Sequence, residues 1–233
     1  MQASRPGKLG ALAVVAMLFM ASVPRPVAAS QPEADPVRCN SVNVVVVARA
    51  MQDVESACAG AEKAMRFLGS LGLDVSGEVS IQVLPELPKS MWQSAAGYYI
   101  PSERRIVILT YSAFREFETW FEVTIDAALY RSLIAHEVAH LFADDNFWMD
   151  APTLHAHEYI AYVTQLVTMP AELRERVLEA MPGQAYERDA HMNTMVYMLN
   201  PMRFGVGVYR HYLERRDGAD YIRAVLRGEV LHE

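Results

Sequence analysis

Apolar residues run almost unbroken through residues 42–48, interrupted only by Asn43, and four of them are consecutive valines. A short β-branched run of this kind predicts a buried strand. The period then changes. Val54, Cys58, Ala61, Met65, Leu68 and Leu71 recur every three or four positions, which predicts a helix over 51–71 that ends at Gly69 and Gly72. Residues 79–84 alternate as a second strand closed by Pro85 and Pro88. Two apolar runs, 97–100 and 105–109, flank the polar turn 101–104 and predict a β-hairpin. Helical patterning takes over from there. A short aromatic-rich helix is expected over 112–121, and a long one over 124–143 with Thr124 as its N-cap. Further helices are expected over 153–169, 171–180, 185–199, 204–215 and 219–227, with Asn200-Pro201 separating the third of these from the fourth. Strands first and helices afterwards is the order of an α+β protein, with a small antiparallel or mixed N-terminal sheet and a helical half.

The beginning of the chain follows different rules. Arg5 and Lys8 precede an apolar run over 9–23, and Val27-Ala28-Ala29 supplies small residues at its end. This is the composition of a secretory signal peptide over 1–29, cut after Ala29. The run is shorter than the roughly 20 residues a spanning helix needs, so no stable membrane insertion is expected after cleavage. Residues 30–38 are then a flexible lead-in, and 39–233 a single domain. The expected location is secreted or periplasmic. Two cysteines, Cys39 and Cys58, suit a disulfide in that oxidising setting, provided the chain before Asn43 folds back.

Charge removes some function classes. The formal net charge is −7, and taking away Arg5, Lys8 and Arg25 with the leader moves it to −10. An acidic chain without basic runs is not expected to bind nucleic acid. At 52% hydrophobic and 21% charged residues, there is enough apolar material for a core.

Chemistry concentrates in residues 133–142, where His136-Glu137-Val138-Ala139-His140 lies within an uncharged stretch. Histidines four apart on a helix share one face, so both imidazoles can reach one metal ion. Glu137 sits where a carboxylate can take a proton from a water that the metal acidifies. Such a site needs a third protein ligand, and His155, His157 and Glu158 are the candidates in the next helix. An oxyanion donor is sought among Tyr186, His191, Tyr197, Tyr209 and His211, with Tyr209 the weak favourite. Met181, Met192, Met195, Met198 and Met202 have the spacing of helix faces filling a core rather than of a copper tract. In a purely structural reading the two histidines satisfy hydrogen bonds on a buried helix, with Glu137 at the solvent edge. The rival function is a non-catalytic interaction protein of the cell envelope that keeps a structural or vestigial zinc site.

His136-Glu137-x-x-His140 followed 18 positions later by Glu158 resembles the gluzincins, the thermolysin-like and aminopeptidase-like zinc metallopeptidases. The resemblance spans roughly residues 97–168. It implies a zincin-like fold, Zn2+ held by His136, His140 and Glu158, Glu137 as general base, and a peptide or protein substrate laid along an edge strand. The chain departs from that pattern at Tyr162, where several gluzincins carry an acid that supports a ligand histidine. Asp144, Asp145 and Asp189 are the candidate substitutes.

Overall fold

The computed structural model describes residues 34–88 and 95–232. The leader 1–29, and with it the cleavage site, lies outside the described residues. The chain runs through β1 (Val37–Arg38), β2 (Val44–Val47), α1 (Met51–Ser70), β3 (Val79–Leu84), β4 (Gly97–Ile100), β5 (Arg105–Leu109) and α2 (Tyr111–Arg115). A small hairpin, β6 (Thr119–Trp120) and β7 (Val123–Thr124), leads into α3 (Ala127–Asn146) and α4 (Leu154–Thr168). The remaining helices are α5 (Ala171–Ala180), α6 (Thr194–Leu199), α7 (Pro201–Glu214) and α8 (Gly218–Leu226). The architecture is α+β, as the order of patterns predicts.

The main sheet has the order β1-β2-β3-β5-β4. Its three inner strands are parallel, while β1 and β4 pair antiparallel at the two edges. The sheet is therefore mixed, and among the described residues β4 ends it with one side free of a strand partner. Val44, Val46, Val79, Ile81, Ile106 and Ile108 are all buried at 1% exposure or less, forming the sheet side of the core.

Helix α3 lies at the centre, packed between α1 and α4 and against β4 and β5. Burial on nearly every side explains why residues 132–143 carry no charge but Glu137 and show apolar residues all round rather than in a stripe. Ala57, Ala61 and Ala64 are fully buried in α1 and carry only methyl groups, which fits its close packing against α3.

Three boundaries depart from the pattern. The helix expected over 112–121 stops at Arg115, because Glu118, Phe121 and Glu122 adopt positive φ and turn the chain into β6 and β7. Thr124 consequently belongs to a strand. The cap of α3 is Asp126, whose carboxylate accepts from the Leu129 amide at 2.8 Å. The helix expected over 185–199 is confined to α6, where Asn193 accepts from the Val196 amide at 3.1 Å and sets the start. Asn200 and Pro201 separate the two helices as expected, but Asn200 caps α7 and Pro201 opens it, three residues before the expected start at 204.

Cys39 and Cys58 are bridged, with Cα atoms 5.5 Å apart. The fold-back this requires is the antiparallel pairing of β1 with β2, and the Cys39 amide also donates to the Val44 carbonyl at 2.9 Å. β1 starts at Val37, so the expected lead-in 30–38 includes a strand. The bridge closes a sequence separation of 19 residues, a loop whose constraint on the unfolded chain is worth about 3 kcal/mol. Reduction, or Cys39→Ser with Cys58→Ser, is expected to lower unfolding stability by that amount in denaturant titration. A loss below about 1 kcal/mol would show that the bridge contributes little.

Candidate metal centre

His136 and His140 project one turn apart from α3, and Glu158 enters from the second turn of α4. The two Nε2 atoms are 3.2 Å apart. Glu158 Oε2 lies 3.5 Å from His136 Nε2, and Oε1 lies 3.7 Å from His140 Nε2. A tetrahedral ion with bonds of about 2.0–2.2 Å requires ligand atoms about 3.3–3.6 Å apart. The two carboxylate contacts use different oxygens; with one donor atom from each residue the three lie within 4.8 Å of one another, close enough to face a single ion.

Electrostatics point the same way. Burial pushes the His136 imidazole down to about 3 and holds His140 well below its ordinary value. Both rings are therefore neutral near pH 7, the form that binds metal. Burial raises the Glu158 carboxyl to about 8, the Tyr197 hydroxyl partly offsetting this by donating toward it. Glu137 is pushed well above the usual carboxylate range, first by burial and then by the charge of Glu158. Glu158 Oε2 and His136 Nδ1 are buried without a hydrogen-bond partner. Two buried acids, two neutral imidazoles and an orphaned carboxylate oxygen form a donor set that a divalent cation completes.

The surroundings fix this geometry. Tyr162 occupies the position of the missing acid, and its ring meets the His136 ring edge-on at 4.6 Å between centroids. Gly205 of α7 makes room for it, since a Cβ there would fall 2.3 Å from the Tyr162 ring. Gln165 is the polar neighbour that favours His136 protonation, although Nδ1 forms no hydrogen bond of ordinary geometry. The three aspartates proposed for this supporting role act elsewhere. Asp144 accepts from Tyr99 at 3.0 Å, Asp145 pairs with Arg104 and with the Ser76 amide, and Asp189 accepts from Tyr221 at 2.6 Å.

Glu137 lies against the edge strand rather than at the solvent edge, with only 5% exposure. A Cβ on Gly97 would come within 2.9 Å of its Oε1. Only glycine lets β4 pass this close to the carboxylate. The same strand is tied to the far end of α3 by Tyr99–Asp144 and Arg104–Asp145.

The ligand atoms open onto a cleft of about 660 Å³, which Glu137, Tyr162 and Tyr197 also line. Tyr209 does not reach it; this residue is buried in α7. His155 is not part of the cluster either, being buried and bonded through Nδ1 to Thr194 at 3.0 Å. His157 lines the cleft wall with its ring stacked near Phe147. His211 pairs with Tyr159 at 2.9 Å, and His191 is exposed. Met181 and Met192 are core residues as expected, whereas Met195 and Met198 are exposed. The residue the pattern did not rank is Tyr197. Its signal is the Asn200-Pro201 break, which ends α6 where Tyr197 faces Glu158.

A family model matches residues 44–233, so the chain belongs to a family of unknown function, DUF6639. The match takes in β2 to α8 and every residue of the cluster. No curated protein and no solved structure matches the chain.

The state of Glu158 makes a measurable statement about metal loading. With its carboxyl raised to about 8, it carries its proton at pH 7 in metal-free protein. A bound cation requires the carboxylate, so zinc binding at pH 7 is expected to release at least one proton per chain. Affinity should rise as pH rises toward 8. Calorimetric titration of chelator-stripped protein in two buffers of different ionisation enthalpy measures this. Equal heats in both buffers would contradict it.

Proposed function

We propose that this member of the DUF6639 family is an exported zinc-dependent hydrolase, a metallopeptidase of gluzincin type. The observation that carries the reading is the convergence of both imidazole Nε2 atoms and the Glu158 carboxylate within 4.8 Å of one another, with Glu137 adjoining in an open cleft. The Cys39–Cys58 bridge supports an oxidising compartment, and no described helix is long and apolar enough to cross a membrane.

His136, His140 and Glu158 would hold zinc, leaving the cleft side for water and substrate. Zinc bound there supplies Lewis acidity, polarising a carbonyl and lowering the pKa of water. Glu137 is placed to accept the proton of the attacking water and to return it to the leaving amine nitrogen. Its closeness to Gly97 puts this exchange beside β4, whose free edge can pair with an extended peptide. Tyr197 lines the cleft wall beside Glu158, and its single O–H, directed at that carboxylate here, would have to turn away from it to donate to a developing oxyanion. Tyr162 and Gln165 orient the His136 ring through packing and polarity.

Glu137→Gln keeps size and removes basicity. The variant is expected to bind one zinc per chain and to lose peptide turnover by at least about 100-fold. Wild-type turnover in this variant would sink the mechanism. Tyr197→Phe is expected to lower kcat by about 100-fold or more with little change in KM. A purely KM effect would make Tyr197 a binding residue instead.

A further inference from the structure

The cleft that holds the metal-ligand cluster also carries information about what fits beside it. Glu137 and Glu158 are the only formally charged acids on its walls among the described residues, and both belong to the chemistry. No lysine or arginine is among the described lining residues. A site that grips a substrate's terminal carboxylate needs such a cation. A site that grips a free α-amine needs a carboxylate not already engaged. Neither is present on the described walls.

The rest of the wall is apolar. Trp120, Leu133 and Met202 line the cleft, and Leu154 and Leu199 do so while standing 44% and 81% exposed to solvent. The helix that carries Leu199 also exposes Met195 at 74% and Met198 at 49%. Isolated exposed apolar residues need no explanation, but several on one short helix at a cleft mouth mark a contact surface. On the opposite side, β4 offers Gly97, Tyr98 and Tyr99 with an unpaired backbone edge. Backbone groups on one side and apolar walls on the other suit a peptide in extended form, held by its main chain and selected by its side chains.

Resting on the hydrolase reading above, we infer that the substrate is an internal, uncharged stretch of polypeptide with bulky apolar side chains, cut without recognition of either terminus. A lysine or aspartate placed against these walls would lose water without gaining a partner. An apolar residue would remove Leu199 and Met202 from water as it entered.

Binding tests this separately from catalysis. Zinc-loaded Glu137→Gln protein is titrated with fluorescent decapeptides centred on Leu-Phe-Leu, with both ends blocked, and with the same peptide carrying Lys or Asp at the centre. Affinity for the apolar peptide is expected to exceed that for the charged ones by at least about tenfold. Unblocking the ends should change affinity by less than about threefold, and Leu199→Asp should abolish the preference. Equal affinity for charged peptides, dependence on a free terminus, or no binding of any peptide overturns the inference. Wild-type digestion of the same peptides, followed by mass spectrometry, reads the other question. Selective binding without cleavage leaves the selectivity standing and removes the hydrolase. Cleavage confined to residues next to a free end keeps the hydrolase and removes the selectivity.

Discussion

Two carboxylates buried side by side set the terms for the whole structure. Glu137 and Glu158 are each 5% exposed, and each raises the cost of ionising in that place. Taking one ionised carboxylate out of water costs several kcal/mol unless a counter-charge or hydrogen bonds replace it. On the described cleft walls the neighbours that share the space are two imidazoles forced neutral by the same burial. The cluster is therefore destabilising as a folding element. It persists because the surrounding packing is strong enough to hold it, which is typical of a site that serves chemistry rather than stability.

That packing is legible in the helix order. A helix segment buried on most sides has to be apolar on most sides, and residues 133–143 of α3 are, apart from the two histidines and Glu137. Helix α4 brings Glu158 back past it, and α7 presses Tyr162 onto His136 through the gap left by Gly205. The sheet contributes its last strand, which passes Glu137 closely enough that a methyl group would collide with it. His136, Glu137 and His140 come from α3, Glu158 from α4 and the passing strand from β4, so the cluster exists only where these three stretches have packed together.

How much of this could be read beforehand depended on whether the signal was local. The strands, α1, α4, α5 and the break at Asn200-Pro201 have strong periodicity or caps, and they lie where the pattern places them. The residues 116–122 were misread because aromatic residues at helical spacing do not reveal that three non-glycine residues will take positive φ. Thr124 and Asp126 are both good caps in sequence, and only the β6–β7 turn decides between them. The pair His136 and His140 is local, and so is legible. The choice of Glu158 over His155 is a matter of which way α4 faces α3, and the sequence ordered those candidates by resemblance alone. Tyr197 stayed hidden among five donors because its role depends on helix α6 lying across the cleft. The expected leader and the expected location rest on residues outside the described fold, with the disulfide as their structural counterpart.

The ties between β4–β5 and the end of α3 have a further meaning. Arg104 takes a left-handed backbone conformation to reach Asp145, and Tyr99 holds Asp144 one residue earlier. These contacts involve neither the ligands nor the base, so they do not depend on an ion. The strand edge and the ligand helix are fastened at a point beyond the cluster and behave as one stiff frame. The spacing between Glu137 and the passing strand is thus set by the fold itself, through contacts that lie outside the cluster.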